Sequence, residues 1–253
     1  MAARRLADGF LVRDGLDDER NYTHVVTENE YRLPDAFPPG AIIVDVGAQC
    51  GCFSHAVLLR GAGKVYAFEA ERSNFEQVLQ NLSAACEAGR AEIAHRAVWR
   101  SDGRGPVILH FTPSEDPSCS GGGNVLRPGE GQAVVTIPLD SILISVTAQG
   151  LRRIHLLKLD CEGSEWPILF TAMRLDLVDQ IIGEYHEIGG PNMAALRPDQ
   201  AWPSSIPDQA MVEGYERFTA SELEAFLVAQ GFSDVQIVPY DWWFGLFFAR
   251  RPA

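Results

Sequence analysis

The chain has 253 residues, of which 46% are hydrophobic, and its formal net charge is −13 at pH 7. This length suits one α/β domain with insertions, and the apolar content is sufficient for a hydrophobic core. The acidic balance argues against partners such as nucleic acids and anionic membranes, because both require a basic protein surface.

The cysteines and the N-terminus indicate the cellular compartment. Cys50 and Cys52 form C-x-C rather than the C-x-x-C of zinc and redox sites, and the five cysteines are irregularly spaced. We interpret them as free thiols in a reducing environment. The N-terminus lacks the apolar run of a signal peptide, and no stretch reaches the roughly 18 apolar residues of a membrane span. The sequence therefore predicts a cytoplasmic protein.

Strand-like and helix-like segments alternate after an N-terminal appendage, residues 1–40, which ends in a proline-rich run. The pattern predicts strands at residues 42–46, 64–70 and 91–99, with helices at residues 52–62 and 73–88 between them. The strands are apolar throughout rather than alternating, which indicates a parallel sheet covered on both faces.

The middle of the chain differs from this pattern. Residues 105–143 contain two short strand-like runs around a Ser/Gly/Pro-rich loop and predict an antiparallel excursion from the sheet. Buried strands follow within residues 153–166 and at residues 180–187. Residues 188–217 contain four prolines, and a long loop of this kind predicts a lid over the site where an acceptor binds.

The C-terminal region predicts a helix and a hairpin. Thr219 precedes an amphipathic helix at residues 219–232, and Glu222 follows three residues later, as in a capping box. Two apolar runs, residues 234–240 and 243–251, predict strands that pair as a hairpin.

A carboxylate and two glycines follow the first buried strand, in "VDVGAQCG". Ligands of doubly wound sheets bind at the carboxyl ends of the strands. Gly47 permits a tight turn and close approach of a ligand, and Gly51 lets the next helix begin against the sheet. Asp45 is either a ligand-binding group or a cap for the glycine turn.

Glu69 ends the second predicted strand, where an acidic side chain can accept hydrogen bonds from both ribose hydroxyls. Its alternative role is a solvated carboxylate near a helix N-terminus. The glycine turn lacks the middle glycine of the dinucleotide fingerprint and the lysine of a P-loop. S-adenosylmethionine, which contains a ribose and an adenine but no phosphate, therefore suits the site better than a dinucleotide.

Five segments, in chain order, resemble the motifs of FkbM family methyltransferases, which are class I S-adenosylmethionine-dependent enzymes. They are "VDVGAQCGCFS", "YAFEAERSNFEQVLQN", "IPLDSIL", "LLKLDCEGSEWPIL" and "IIGEYHE". The resemblance implies one α/β domain over residues 1–253, with a Rossmann-like, doubly wound, seven-stranded sheet. That sheet would be mostly parallel with an antiparallel C-terminal strand.

The resemblance also implies the cofactor contacts and the reaction. Glu69 would hold the ribose, and Asp160 is a candidate partner for the ammonium group of the cofactor. The residues that would approach its amino-acid part are Asp45, Gly47, Ala48 and Gly51, and those that would flank the adenine are Val98 and Asp102. Methyl transfer would be to an oxygen of a small natural product or sugar-bearing metabolite.

Polar side chains at the ends of two neighbouring predicted strands are the candidate catalytic groups. Asp160, Glu184 and His186 would converge above the cofactor, with His186 as the general base, because its ordinary pKa of about 6.5 suits proton removal near neutral pH. Alternatively, carboxylates fix this histidine without chemistry. The same acidic cluster could hold a divalent ion such as Mg²⁺.

Other functions remain open at this point. An N- or carboxyl-methyltransferase would share the fold, and so would a cofactor-binding module without turnover. A dehydrogenase is disfavoured by the missing glycine fingerprint. The sequence predicts a small-molecule acceptor and is compatible with a homodimer.

Overall fold

The computed structural model describes residues 2–103, 107–114, 116–126, 131–190 and 204–252. The strands are β1 (Ala3–Arg5), β2 (Leu11–Arg13), β3 (Ile42–Val46), β4 (Lys64–Glu69), β5 (Ala91–His95), β6 (Ala97–Trp99), β7 (Ile108–Phe111), β8 (Gln132–Pro138), β9 (Leu156–Leu159), β10 (Gln180–His186), β11 (Asp234–Pro239) and β12 (Phe244–Arg250). The α-helices are α1 (Asp18–Tyr22), α2 (Cys52–Leu59), α3 (Arg72–Asn81), α4 (Ser83–Glu87), α5 (Leu139–Val146), α6 (Glu165–Phe170) and α7 (Ala220–Ala229). A π-helical turn spans Thr23–Thr27, and 3₁₀ turns span Leu175–Leu177 and Asp208–Ala210.

A seven-stranded sheet forms the centre of the molecule, in the order β11-β12-β10-β9-β3-β4-β5. The pairs from β10 to β5 are parallel, whereas β12 is antiparallel to both of its neighbours. All residues of β3 and β9 are buried, as expected for apolar strands covered on both faces. The predicted sheet, its antiparallel C-terminal strand and the C-terminal hairpin are therefore confirmed.

The predicted strand at residues 91–99 is two strands in two different sheets. β5 pairs with β4 as far as the partners Glu69 and His95, and β4 ends there. The amide of Arg96 then donates to the Glu69 carbonyl, and the chain leaves the central sheet. β6 joins a three-stranded sheet of order β6-β8-β7, in which β8 is parallel to β6 and antiparallel to β7. The excursion at residues 105–143 is thus only partly antiparallel.

The helices begin and end differently from the prediction. The predicted helix at residues 73–88 divides into α3 and α4 at Leu82. Before α7, the Thr219 hydroxyl donates to Glu222 and does not accept a backbone N–H of the helix. The carboxylate of Glu187, at the end of β10, instead accepts the Ala220 amide at 3.0 Å. Thr219 and Glu222 therefore pair through their side chains, and neither of the two backbone hydrogen bonds of the predicted capping box is found among the described residues.

The N-terminal appendage contains a buried ion pair whose arginine also contacts α3. The guanidinium of Arg13 donates to both carboxylate oxygens of Asp18, at 2.8 and 2.7 Å, and to the side chain of Asn74 on α3 at 2.8 Å. Both charged groups are buried. Removal of one partner of such a pair leaves an uncompensated buried charge, which costs about 3–5 kcal/mol. The appendage is therefore fixed against α3.

The predicted lid at residues 188–217 lies in part outside the described residues, which omit 191–203. At its two ends, Ile188 pairs with Phe218, and Tyr215 packs on Phe170 with ring centroids 4.2 Å apart. The structure thus connects this segment to the core beside α6. Within the described ranges, no helix combines the length and apolar character needed to cross a bilayer.

Gly183 of β10 gives a test of the central packing. A Cβ added there would lie 2.0 Å from the Leu159 carbonyl oxygen and 2.8 Å from the Phe247 ring. We expect Gly183→Ala to lower the free energy of unfolding by about 1–3 kcal/mol, because strands β9 and β12 must move apart. Thermal unfolding measures this loss. Gly103→Ala is the control, because a Cβ added there meets no described atom within 4 Å, and equal midpoints for both variants would contradict the packing described.

Candidate functional site

A buried lysine connects the ends of β3 and β9. The Lys158 ammonium donates to the Gly47 carbonyl at 2.6 Å and lies 3.3 Å from Asp45 and 3.8 Å from Asp160. Burial by itself would lower the pKa of Lys158, but the two carboxylates raise it above its ordinary value, so the group is a cation. The sequence analysis missed Lys158; the available signal was a lysine inside the apolar run "LLKLD".

The turn after β3 requires its glycines. Gly47 has a φ of 77°, and a Cβ there would lie 1.8 Å from the backbone oxygen of Asp160. Gly51 has a φ of 94° and its Cβ would meet Val78 at 2.8 Å. The amides of Gly47 and Ala48 donate to the Phe68 carbonyl. The turn is therefore held tightly between the ends of β4 and β9.

Asp45 lies beneath this turn, and its side chain is fully buried. One carboxylate oxygen accepts the Ser54 hydroxyl at 2.6 Å, and the other faces Lys158. Among the described residues, Asp45 thus contacts a serine and a lysine beneath the turn, and the expected hydrogen bonds to backbone N–H groups are not found.

A cavity with about 550 Å³ of space, including open solvent, opens at the carboxyl ends of β3, β4 and β9 and is here called the inner cavity. The predicted residues that line it are Gly47, Glu69, Val98 and Asp160, and a roof of Gly121, Gly123, Asn124 and Val125 covers them. The structure therefore brings four of the predicted site residues to one cavity.

Glu69 is held rigidly at the end of β4. Its two carboxylate oxygens accept the backbone amides of Gln49 at 2.7 Å and of Glu71 at 2.8 Å. Burial raises the pKa of Glu69 to about 7, although these two amides act in the opposite direction. The group therefore changes charge near neutral pH.

The other four predicted cofactor residues, Asp45, Ala48, Gly51 and Asp102, do not line the inner cavity within the described part of the chain. Ala48 and Gly51 are covered by packing of the turn, as described above. Asp102 forms two hydrogen bonds with Arg100 at the surface, at 2.6 and 2.7 Å, and this guanidinium lowers its pKa. Asp102 lies away from the site because the chain leaves the central sheet at Arg96.

A second cavity, here called the outer cavity, adjoins the first and contains about 1120 Å³ of space, including open solvent. Its lining shares Gly121, Asp160 and Glu162 with the inner cavity. The remaining wall combines residues of the N-terminal appendage, Glu184 of β10 and the C-terminal hairpin. A ligand in one cavity would therefore lie next to a ligand in the other.

His186 is buried behind this shared wall and lines neither cavity as far as the structure describes them. Its Nε2 lies 3.6 Å from Glu162, and its Nδ1 lies 3.7 Å from Glu165. Burial would lower the pKa of His186, but Glu162, Glu165 and Glu184 outweigh it and raise the pKa to about 10. The imidazole is therefore a cation at neutral pH.

Glu184 faces the outer cavity, two residues before His186 on β10. Burial, together with the nearby Asp160 carboxylate, raises the pKa of Glu184 well above its ordinary value, although His186 partly offsets this. Among the described residues, no group of three or more His, Cys, Asp or Glu side chains is arranged to hold a metal ion. We therefore assign no metal ligand.

Ser120 connects the roof of the inner cavity to the appendage. Its hydroxyl donates to Asp17 at 2.8 Å and accepts from the Gln49 side chain at 2.6 Å. Its carbonyl accepts the side-chain amide of Asn74 at 2.8 Å. The appendage, the roof and the glycine turn thus form one hydrogen-bonded unit around the two cavities.

Comparison with solved structures finds proteins of similar fold. The N-terminal domain of EvdMO1, solved in the presence of SAH and D-fucose, aligns at 14% identity and a TM-score of 0.51, covering 100% of this chain and 91% of that one. Methyltransferase FkbM from Methylobacillus flagellatus aligns at 13% identity and a TM-score of 0.47, covering 90% of this chain and 47% of that one. At these identities the likeness shows the fold alone.

Sequence comparison is more specific. No curated protein sequence matches the chain significantly. The family described as "Methyltransferase FkbM domain" matches residues 45–233, which include the glycine turn, Glu69, Lys158 and β10. This match covers most of the chain, and the α/β sheet with its antiparallel β12 agrees with it. The chain therefore belongs to the FkbM methyltransferase family.

Proposed function

We propose that the protein transfers a methyl group from S-adenosylmethionine to a hydroxyl oxygen of a small natural product or sugar-bearing metabolite. The observation that carries this proposal is the pair of adjoining cavities, which share a wall of Gly121, Asp160 and Glu162. A methyl donor and an acceptor must meet in line, and two joined cavities allow this. Family membership and the SAH in the EvdMO1 structure support the choice of donor.

The inner cavity has the groups that this donor requires. Glu69 would accept hydrogen bonds from the ribose hydroxyls, and the apolar Val98 would contact the adenine. Asp160 would pair with the ammonium group, and Gly47, which has no side chain, would let the amino-acid part approach the backbone. Asp45, Ala48 and Gly51 would support this surface from beneath.

S-adenosylmethionine, when bound, supplies an electrophilic methyl group, and the protein must align the acceptor and remove its proton. We assign proton removal to Glu184, because it is the carboxylate of β10 that lines the outer cavity, where an acceptor would lie. His186 already carries a proton at neutral pH, so we assign it a positioning role, as the cation between Glu162, Glu165 and Glu184.

The same proposal covers the partners and location of the protein. The outer cavity suits a small molecule, and a net charge of −13 disfavours nucleic acids and anionic membranes. The cysteines among the described residues are free, which fits a cytoplasmic protein.

Glu69→Ala tests the donor site. We expect its affinity for S-adenosylhomocysteine, measured by calorimetry, to fall by about tenfold or more, because charge-assisted hydrogen bonds to the ribose are lost. Asp102→Asn is the matched control, since its carboxylate pairs with Arg100 at the surface, and it should bind like the wild type. Unchanged affinity in Glu69→Ala would contradict the assigned role of Glu69, and no binding to the wild type would contradict the proposed donor.

The pKa of Glu69, about 7, predicts a pH dependence of the same binding. Above this pH both oxygens of the carboxylate accept hydrogen bonds, whereas below it one oxygen carries a proton. Affinity for S-adenosylhomocysteine should therefore decrease by about tenfold from pH 8 to pH 6. The affinity of Glu69→Gln for S-adenosylhomocysteine should not change over this pH range. If it decreased as in the wild type, a group other than Glu69 would be responsible for the pH dependence.

The protonation state of His186 can be measured without knowing the acceptor. NMR titration of its ring should show a midpoint near pH 10, compared with about 6.5 for an ordinary histidine. Because the folded pKa is raised, the stabilisation from this charge is complete below about pH 6.5 and is lost as the pH rises through 10. A midpoint near 6.5 would restore His186 as the candidate general base.

A further inference from the structure

Four residues that line the outer cavity lie in segments of the chain that the family model does not match. Glu30 and Tyr31 belong to the N-terminal appendage, and Tyr240 and Phe244 belong to the C-terminal hairpin. The matched residues are 45–233, so neither wall segment falls within them. These four residues of the outer cavity therefore lie outside the segment that the family model matches.

Glu30 brings a carboxylate to this wall. Its side chain makes no hydrogen bond or ion pair within the described ranges, and it is only partly exposed. Burial and the nearby Asp160 raise the pKa of Glu30 to about 7. Glu30 does not line the inner cavity as described, so a bound donor would leave it without a partner. Its charge is available for the acceptor.

Among the described residues, no cation forms an ion pair with Glu30, although Lys158 lowers its pKa from a distance. Arg20 is bonded to Asp17 at 3.1 Å with its side chain 63% exposed, and His24 is exposed. Lys158 is buried under the turn, and its ammonium is engaged by the carbonyls of Val46 and Gly47 and by Asp45. The cavity therefore favours a positive charge supplied by its ligand.

Aromatic rings complete the pocket around Glu30. The hydroxyl of Tyr31 donates to Asp160 at 2.9 Å, which fixes this ring at the shared wall. Tyr240 and Phe244 form an edge-to-face pair with ring centroids 6.1 Å apart on the hairpin. Aromatic faces attract ammonium groups, and the effect is larger when the cation is desolvated. Rings and a carboxylate together are suited to an organic cation.

We propose that the acceptor carries a protonated amine, which binds at Glu30 between Tyr31 and the C-terminal hairpin and directs a hydroxyl of the same molecule towards Glu184. This inference rests on the proposed function and specifies its substrate class as a hydroxylated amine. The N-terminal appendage, and not only the predicted lid at residues 188–217, then selects the acceptor.

Three polyols that differ in one group test this proposal. The protein is saturated with S-adenosylhomocysteine at pH 8, and binding of 1-amino-1-deoxy-D-glucitol, D-glucitol and D-gluconate is measured by ligand-observed NMR. A primary amine is protonated at this pH and Glu30 is ionised. We expect the amine to bind about tenfold or more tightly than D-glucitol, and D-gluconate to bind most weakly.

Glu30→Gln should remove the preference for the amine and leave binding of S-adenosylhomocysteine unchanged, which also shows that the variant is folded. Glu28→Gln is the matched control, because it removes the same charge from an exposed side chain two residues away. Equal affinities for the amine and D-glucitol, or no binding of the amine, would overturn the proposal. If Glu28→Gln lost the preference for the amine as fully as Glu30→Gln, the proposal would also be overturned, because the attraction would then depend on the overall negative charge and not on Glu30. Failure of the wild type to bind S-adenosylhomocysteine would overturn the proposed function instead.

Discussion

The ammonium of Lys158 is the interaction on which the rest of the site depends. It compensates Asp45, which is fully buried, and it holds the Gly47 carbonyl at the end of β3. Without this cation, Asp45 would be a buried charge with no counter-ion, which proteins tolerate poorly. Gly47 in turn contacts the backbone of Asp160 with no room for a side chain. The position of Asp160, and with it the wall between the two cavities, follows from this contact.

The charges around that wall are arranged in two layers. Lys158 and His186 are buried cations beneath the surface, and Asp160, Glu162 and Glu184 are the carboxylates that face the cavities. Each cation is stabilised by the carboxylates around it, which is why the pKa values of both are raised despite burial. The cations partly offset the repulsion among these carboxylates, which remains visible in the raised pKa of Glu184.

The central sheet could be predicted because its information is local: apolar runs mark β3, β4, β9 and β10, and strand ends mark where Gly47 and Glu69 lie. Long-range contacts were not predictable in this way. Lys158 on β9 is the counter-ion of Asp45 on β3, and the charge of His186 on β10 is stabilised by Glu162 and Glu165. Each of these contacts joins residues from different elements of the fold. Asp102 follows β6, which pairs with β8 outside the central sheet, and this departure could not be predicted from the local sequence.

The position of the appendage was the least predictable feature, since no periodicity in residues 1–40 indicates which surface they cover. Arg13, which is paired with Asp18, donates to Asn74 and so holds the appendage against α3. It also determines where the chain could be divided in protein engineering. An exchange of acceptor-binding segments between proteins of this fold would have to transfer Arg13, Asp18 and their contact on α3 together. A shorter graft that begins after Arg13 would transfer the cavity wall without the guanidinium that pairs with Asp18.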